Sequence, residues 1–222
     1  MRRLGGTIVL AMIVVGCALL ALAMHRYPGG TEIDRHCVGH SFWLNFLCDL
    51  TGEQALNGAP NGGHVFARAA MMAFAFGMGA FWLILPAEFS GHRVVAAVVR
   101  VGGALSVLGF LSVPIAPGPW HAVAVFMAAI PGVIAAGVSL YATVRFVDDR
   151  LLMGGAIASL AATVVDSVLY AARVMDDYRS CPPSLPVFQR LTLIFVLVWA
   201  GTTALRAIRP TVDVRSRPRD AN

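Results

Sequence analysis

Six long apolar stretches, separated by more polar segments, dominate the chain. They lie at about residues 4–24, 65–86, 94–116, 121–144, 151–171 and 188–208. A bilayer core roughly 30 Å thick needs about 20 apolar residues per helix, and each stretch reaches about that length. The runs are continuous, whereas a membrane barrel has shorter segments in which apolar and polar residues alternate. The pattern therefore predicts an all-α polytopic membrane protein, a six-transmembrane-helix bundle.

The composition agrees with this pattern and limits the number of domains. Of the 222 residues, 58% are hydrophobic and 13% are charged. Soluble domains usually carry about 25% charged residues. Because the six spans occupy most of the chain, little remains for a separate soluble domain. We expect one transmembrane domain over residues 1–208, followed by a disordered basic cytoplasmic tail over residues 209–222.

The distribution of the arginines predicts an orientation. All 17 basic residues are arginines, and arginine is enriched in cytoplasmic loops. With the N-terminus inside, the inner segments hold ten of them: Arg2, Arg3, Arg93, Arg145, Arg150, Arg206, Arg209, Arg215, Arg217 and Arg219. The longer outer segments hold six: Arg26, Arg35, Arg68, Arg173, Arg179 and Arg190. Both termini should therefore be cytoplasmic.

The net charge of +5 does not indicate a nucleic-acid partner. The basic residues are divided among short segments that flank membrane spans, whereas nucleic-acid binding needs a basic patch on one surface. We therefore expect membrane lipid as the surroundings of these arginines, and no nucleic-acid partner.

The N-terminal apolar stretch has two further interpretations. Arg2 and Arg3 precede an apolar run that ends in Ala21–Ala23, which resembles a signal peptide with its cleavage site. The segment Val14–Cys17 also loosely resembles a lipoprotein cleavage site. The apolar run is about 20 residues long, however, and a signal-peptide core usually has about 7–15. We expect the first span to be retained as a helix.

The longest connection, residues 25–64, contains a segment with amphipathic character. At helical spacing, its apolar face would hold Trp43, Phe46, Leu47 and Leu50. Its other face would hold Asn45 and Asp49. We expect a short helix that lies at the membrane interface, buries the first set and presents the second. Loops of this length are more often functional than idle, so a protein partner could bind this loop.

The four cysteines leave disulfide pairing open. Cys17 lies in the first span, where a packing role is expected. Cys37, Cys48 and Cys181 all fall on the outer side, and three cysteines allow three pairings with one left over. The chain has no C-x-x-C motif, so we predict no redox or zinc site.

One acidic residue inside a predicted span carries the main structural prediction. Asp166 lies five residues from the outer end of the fifth span, about 7 Å deep at 1.5 Å per residue. A charged side chain in hydrocarbon normally faces the bundle interior and has a partner. Arg68 lies at a similar depth in the second span, and Arg100 lies in the opposite leaflet. We therefore predict an Asp166–Arg68 contact, direct or through water.

Other polar residues lie at the same level and predict a shared pocket. The converging set is His64, Arg68, His121, Asp166, Tyr170 and Arg190. In one interpretation the Arg68–Asp166 pair only fixes helix register. In the other, Arg68, Arg190 and Tyr170 bind a lipid phosphate or another anion. The candidate acid–base residues would be His64, His121, Asp166 and Asp49. The spacing matches no metal motif, and we predict neither a metal nor a cofactor.

Several short motifs resemble the bacterial six-span family called domain of unknown function 998. They are Asn45–Leu50 in the first loop, Val113-Pro114 in the third span, His121 at the start of the fourth, and Phe188–Leu191 at the start of the sixth. The chain is more distantly similar to eukaryotic six-span proteins of lipid and GPI-anchor remodelling. The resemblance covers about residues 4–208. It implies a multi-pass protein of the bacterial inner (cytoplasmic) membrane and implies no settled activity.

The first-loop motif departs from the family pattern of serine, aspartate, leucine and glycine. Cys48 stands at the serine, Asp49 matches the aspartate, and Thr51 stands at the glycine, with Gly52 one place late. A serine nucleophile is therefore absent at this position, although a cysteine could take that role.

Two function classes follow from these observations. The first is a protein that binds, and could modify, an anionic lipid or headgroup in an outer-leaflet pocket. The second is a non-enzymatic assembly or sensor component that uses the first periplasmic loop as its contact surface, with Phe42, Trp43 and Phe46 in an exposed apolar patch. Transport has less support, because the chain shows neither an inverted repeat nor paired broken helices near the midplane.

Overall fold

The computed structural model describes residues 1–116, 119–147, 149–179 and 182–209, and the predicted disordered tail lies almost wholly outside them. Six long helices follow one another: α1 Arg2–Arg26, α2 His64–Ile84, α3 Arg93–Ser112, α4 Pro119–Phe146, α5 Arg150–Met175 and α6 Ser184–Ile208. Short 3-10 helices span Cys48–Thr51 and Leu85–Phe89. All six long helices are apolar and long enough to cross a membrane, which confirms the predicted all-α six-span architecture.

The helices form a bundle around a central space. Each helix packs against the next in sequence, and α1 also packs against α6. Because α2 touches α6 directly, helices α2 to α6 surround the centre and α1 lies outside them, in the groove between α2 and α6. The first connection, residues 27–63, lies at one end of the bundle, which we call the loop end. The start of α1, the end of α6 and the 3-10 helix Leu85–Phe89 mark the opposite end, which we call the terminal end.

Aromatic side chains fill the middle of the bundle. The ring centroid of Trp199 on α6 lies 4.9 Å from that of Phe81 and 5.9 Å from that of Trp82, both on α2. Both contacts are edge-to-face, an arrangement that aromatic quadrupoles favour. Phe81 and Trp199 are almost completely buried, so this cluster joins α2 to α6 in the core.

Small residues let the helices approach closely. A methyl group on Gly109 of α3 would overlap the backbone of Met127 and Ala128 on α4. A methyl group on Gly103 would overlap the Trp82 side chain of α2 in the same way. Contacts of this kind bring backbones together where lipid supplies no hydrophobic driving force between helices.

Charged groups join four segments at the terminal end. Glu88 contacts Arg2 of α1, and one of its oxygens lies 3.5 Å from Arg206 of α6. Arg206 also contacts Asp149, whose carboxylate accepts hydrogen bonds from the Leu151 and Leu152 amides at the start of α5. These amide bonds and the Arg206 guanidinium lower the pKa of Asp149. The network ties the start of α1 and the last turn of α6 to the bundle.

The amphipathic helix predicted in the first loop is wrong. Residues 41–47 form turns, and only Cys48–Thr51 is a 3-10 helix. Asn45, predicted to be presented, is 0% exposed, whereas Trp43, predicted to be buried, is 49% exposed. The Asn45 side chain accepts from the Ser41 amide at 2.9 Å and donates to the Gly30 carbonyl at 2.7 Å. Local side-chain to backbone bonds of this type compete with helix formation.

Candidate functional site

A cavity of about 270 Å³ lies in the centre of the bundle. Its walls come mainly from α2 to α6, and Leu47 and Cys48 of the first loop form its roof at the loop end. Most of the wall is apolar, with Met71, Phe74 and Phe126 among the lining residues. The cavity extends down to Trp82 and Trp199 of the central aromatic cluster. Concave, mostly apolar sites with a few convergent polar groups are the usual form of a small-molecule site.

One wall of the cavity carries a polar stripe from α5. The stripe consists of Ser159, Thr163, Asp166, Ser167 and Tyr170. Their spacing of three or four residues places them on one face of the helix. The opposite face of α5 exposes valines, namely Val164, Val165 and Val168. The helix therefore directs its polar side towards the cavity and its apolar side outwards.

Three buried polar atoms in the cavity wall have no hydrogen-bond partner among the described residues. They are Ser159 Oγ, Thr192 Oγ1 and Trp199 Nε1. Ser159 and Trp199 are each 2% exposed. An unsatisfied buried donor or acceptor costs about 1–3 kcal/mol, so the fold carries this cost at three positions next to the cavity.

Asp166 lies in the middle of the stripe and faces the cavity. Its carboxyl group makes no hydrogen bond and no ion pair to any residue in the described part of the chain. The prediction that this acid faces the bundle interior agrees with its place in the cavity wall. The basic neighbour that the sequence predicted for Asp166 is not found in contact with it.

The direct Arg68–Asp166 ion pair predicted from the sequence is wrong. Arg68 Nε donates to the Thr51 carbonyl at 3.0 Å, and its Nη2 lies 3.8 Å from Glu53 Oε1. The first loop folds back over the start of α2 and supplies these nearer acceptors, so the guanidinium turns to the loop and away from the cavity. Contact with Asp166 through water stays a prediction.

Both histidines proposed as acid–base groups bond to backbone instead. His64 Nδ1 lies 2.7 Å from the Asn61 carbonyl, and His121 Nδ1 lies 3.1 Å from the Val113 carbonyl. Nδ1 of each ring therefore donates to a backbone carbonyl, at Asn61 just before α2 and at Val113 just after α3. Neither ring lines the cavity.

Arg190 is 1% exposed and is enclosed by the first loop. Its Nε donates to the Phe42 carbonyl at 3.0 Å, and its Nη2 donates to the Asn45 carbonyl at 3.1 Å. The same Nη2 lies 3.3 Å from His40 Nε2. Burial, together with the Arg190 charge, lowers the pKa of His40 to about 4, so this ring is neutral and accepts the bond at neutral pH. Arg190 thus anchors the loop and does not line the cavity.

Two further contacts hold the loop to α5 and α6. Arg173 of α5 lies 3.4 Å from Glu32, and its guanidinium lies 4.8 Å from the centroid of the Phe46 ring. Gln189 Oε1 of α6 accepts from the Leu47 amide at 2.7 Å. Because Leu47 belongs to the roof, this last bond fastens the roof directly to a cavity-lining residue.

Asp49 and Tyr170 complete the predicted set. Asp49 Oδ2 accepts from the Phe46 amide at 2.8 Å and from Asn45 Nδ2 at 3.1 Å. Burial raises the pKa of Asp49 to about 6 in spite of these bonds. Tyr170 lines the cavity, and its ring centroid lies 5.8 Å from that of Phe126. Asp49 therefore shapes the loop, and Tyr170 belongs to the cavity.

The shared pocket predicted from six residues is therefore not formed. Of the six, only Asp166 and Tyr170 line the cavity, and no arginine or histidine among the described residues does so. The hydroxyl groups at Ser159, Thr163 and Ser167 were not identified from the sequence. Their helical spacing around Asp166, inside a membrane span, was the signal that could have found them.

The described cysteines Cys17, Cys37 and Cys48 are not paired with one another, and Cys181 lies outside the described residues. Burial raises the pKa of the Cys48 thiol to about 12, so almost none of it is thiolate at neutral pH. The nucleophilic role that the family resemblance suggested for this position gains no support from these surroundings. In the described residues, no three histidine, cysteine or acidic side chains cluster as a metal site would require.

The resemblance to the six-span family stays a prediction. Compared with known proteins, the chain matches no family model, no curated protein and no solved structure.

Proposed function

We propose that the protein binds a membrane lipid or a similar amphiphile, with one end of the molecule in the central cavity. The observation that carries the proposal is the polar stripe of α5 in an otherwise apolar cavity between membrane-spanning helices. Buried polar groups are normally hydrogen-bonded, and here Ser159, Thr192 and Trp199 have polar atoms without a partner among the described residues. A molecule with an apolar body and a polar end would match both parts of the wall.

The size of the cavity limits how much of the ligand it holds. Its 270 Å³ equals the liquid volume of about nine waters at ~30 Å³ each. Drug-sized ligands occupy sites of about 300–1,000 Å³. The cavity therefore accommodates a small amphiphile, or the polar end or part of one chain of a lipid, but not a complete two-chain lipid.

The anionic headgroup expected from the sequence is a poorer match to this wall. Arg68 and Arg190 donate to loop carbonyls, and the lining residues hold an acid at Asp166. A phosphate placed next to that acid would be repelled, and no arginine of the described wall would pair with it. We therefore place the lipid in the central cavity and not among the arginines of the loop end.

The proposal is tested by filling the cavity. Ala129 lines the cavity, and an Ala129→Phe substitution adds an aromatic ring inside it. We expect the purified variant to lose the lipid or amphiphile that co-purifies with the wild-type protein in mild detergent, as measured by native mass spectrometry. The matched control is Ile130→Phe, which changes the next residue on the exposed face of the same helix.

The control should retain the co-purifying molecule at the wild-type level. Equal retention by Ala129→Phe and by Ile130→Phe, with both proteins folded, would contradict binding in the cavity. The absence of any co-purifying molecule from the wild type, even after incubation with total membrane lipid, would contradict it as well.

A second candidate function rests on the surface of the first loop. Val38 is almost fully exposed, and Ile33, Phe42, Trp43 and Leu44 are also exposed. Phe46, which was expected in this patch, is buried against the bundle. An exposed apolar patch favours a non-enzymatic role as an assembly or sensor component that binds a protein partner here. A photo-crosslinker in place of Trp43 should then capture a defined partner in cells, and capture of lipid alone would contradict this role.

We also infer that this multi-pass protein lies in the bacterial inner membrane with both termini in the cytoplasm. The support is the arginine distribution: Arg3, Arg93 and Arg150 flank the terminal end of the bundle and are exposed. In membrane proteins, the span ends that are rich in Lys and Arg usually lie on the cytoplasmic side. The loop end would then face the periplasm.

A further inference from the structure

We propose that the polar end of the bound molecule is a protonated amine, which pairs with Asp166 in the cavity. This inference rests on the proposed function and names the chemical class of the ligand. The groups that would bind the amine are the carboxyl of Asp166 and the hydroxyl oxygens next to it on α5.

The first argument concerns charge. Asp166 has neither an ion pair nor a hydrogen bond within the described part of the chain, and its wall offers no arginine or histidine. An acidic side chain inside a membrane protein is costly and normally pairs with a cation or a donor. Because Arg68 and Arg190 donate to loop carbonyls, neither pairs with this acid, and an ionised Asp166 would take its cation from the ligand.

The second argument concerns hydrogen-bond complementarity. A primary ammonium group has three N–H donors and no acceptor. Around Asp166, the wall offers acceptor oxygens at Thr163 and Ser167, with the Tyr170 hydroxyl one turn further towards the loop end. Thr163 Oγ1 donates its own proton to the Ser159 carbonyl at 2.7 Å, which leaves its lone pairs to accept. A carboxylate flanked by hydroxyl oxygens therefore matches the ammonium donors.

The third argument excludes the opposite charge. A phosphate, sulfate or carboxylate group presents acceptors and no donors. It therefore cannot form a hydrogen bond with the carboxylate oxygens of Asp166. Like charges at short range in an apolar site repel each other strongly. The same wall would accept a neutral alcohol, but an alcohol would leave the charge of Asp166 unpaired. The expected order of affinity is amine first, alcohol second and anion last.

The apolar remainder of the wall fits the body of such a ligand. Met71, Phe74 and Phe126 line the cavity beside the stripe. Aromatic faces also attract cations by about 0.5–2 kcal/mol, which adds to the preference for an ammonium group. A single alkyl chain that bears an amine therefore satisfies both the apolar and the polar part of the site.

The experiment uses three single-chain probes of equal length: dodecylamine, dodecanol and dodecyl sulfate. Their binding to the purified protein in nanodiscs is followed by tryptophan fluorescence in a Trp43→Phe/Trp120→Phe background, which leaves Trp82 and Trp199, both in the cavity wall, as the fluorophores. We expect dodecylamine to bind at least tenfold more tightly than dodecanol, and dodecyl sulfate to bind weakest. Asp166→Asn should weaken dodecylamine at least tenfold and leave dodecanol unchanged.

Two further variants keep the test decisive. Asp176→Asn removes an exposed acid just beyond α5 and should leave all three affinities at the wild-type level. If Asp166→Asn does not fold, Thr163→Val replaces a flanking hydroxyl at nearly constant shape and should weaken dodecylamine several-fold relative to dodecanol. Equal affinity for dodecylamine and dodecanol, unaffected by either substitution in the cavity, would overturn the amine assignment and leave amphiphile binding standing.

A separate experiment distinguishes an aminophospholipid of the membrane from a small soluble amine. Native mass spectrometry compares nanodiscs that contain an aminophospholipid with nanodiscs that contain the same lipid with its amine acetylated. Retention of the free-amine lipid supports the amine assignment with a membrane source, whereas retention of dodecylamine alone supports it with a small soluble amphiphile. If no probe binds the wild type and Ala129→Phe changes nothing, the proposed function itself fails.

Discussion

Arg190 and Asp166, two ionisable side chains inside the bundle, differ in the hydrogen-bond partners that the fold supplies. Arg190 is 1% exposed, yet the carbonyls of Phe42 and Asn45 accept from its guanidinium. Asp166 faces a cavity and has no such partner in the described chain. The fold binds Arg190 through Nε and Nη2 and leaves Nη1 without a partner among the described residues, whereas neither oxygen of Asp166 is bonded there, so Asp166 is the stronger candidate for ligand binding. The contrast separates the two roles that the sequence assigned to one pocket.

Removal of the Arg190 guanidinium should destabilise the loop end. Arg190→Leu leaves the Phe42 and Asn45 carbonyls buried without their donor, and each bond to a charged group contributes about 1.5–3 kcal/mol. We expect the free energy of unfolding in detergent to fall by about 3 kcal/mol or more. Reversible denaturation followed by circular dichroism measures this change.

The matched control is an exposed arginine of the same loop. Arg35 pairs with Glu32 at 3.0 Å, with about half of its side chain exposed, and exposed ion pairs contribute about 0–1 kcal/mol. Arg35→Leu should therefore change the free energy of unfolding by less than about 1 kcal/mol. Similar losses for the two variants would show that the buried bonds of Arg190 do not anchor the loop.

At the scale of the elements, close packing between neighbouring helices depends on glycines at the contact. Gly109 of α3 lies against the backbone of Met127 and Ala128, which cannot move aside as a flexible side chain could. The contact has no apolar driving force from water inside a bilayer, so van der Waals fit between the two backbones stabilises it.

A single methyl group at this contact should separate α3 from α4. Gly109→Ala forces an overlap, and overpacking costs about 1–3 kcal/mol. We expect the thermal unfolding midpoint to fall by several degrees, as measured by the fluorescence of a thiol-reactive dye or by circular dichroism.

Gly137 of α4 provides the comparison, because nothing lies within 4 Å of a methyl group built there. Gly137→Ala should be neutral, or stabilising by up to about 1 kcal/mol because alanine is the better helix former. A drop in stability from Gly137→Ala as large as that from Gly109→Ala would contradict the proposed role of the close contact.

The spans could be predicted from the sequence, and the loop could not. Apolar runs of about 20 residues report the helices directly, because a bilayer requires that length. The first loop has no such requirement, and there the spacing of Trp43, Leu47 and Leu50 predicted a helix that does not form. Its conformation depends on Asn45, whose side chain bonds to Ser41 and to Gly30, fifteen residues away. Contacts over such distances leave no periodic signal.

The site was predictable only in part, for the same reason. The depth of Asp166 in its span indicated a buried acid, and helical spacing alone placed Tyr170 beside it. The partners of Arg68 and Arg190 come from the loop, whose fold the pattern did not reveal. A prediction based on depth in the membrane therefore grouped residues that the loop keeps apart.

At the scale of the whole molecule, the two ends of the bundle differ in construction. The loop end carries a folded cap of residues 27–63, and the terminal end carries a charge network around Glu88. Exposed arginines such as Arg93 and Arg150 lie at the terminal end. The arginine rule then predicts that this end faces the cytoplasm.

The orientation is tested with a thiol reagent that does not cross the inner membrane. Cys37 lies in the first loop and should react in intact cells, because we place the loop in the periplasm. A new cysteine in the opposite turn, Ser90→Cys in a background in which Cys17, Cys37, Cys48 and Cys181 are replaced by serine, should react only after the membrane is permeabilised. Labelling of the second variant, but not of Cys37, in intact cells would reverse the predicted orientation.

The roof of the cavity affects whether the proposed ligand enters from water or from the bilayer. Leu47 is fastened to Gln189 by a bond of 2.7 Å, and Arg190 holds the adjoining carbonyls. Entry of the proposed ligand from water at the loop end would have to break these bonds, whereas entry from the bilayer between two helices would leave them intact. The occupancy of the site then follows the mole fraction of the ligand dissolved in the bilayer. A molecule that is scarce in water can fill the cavity, provided that it partitions strongly into the membrane.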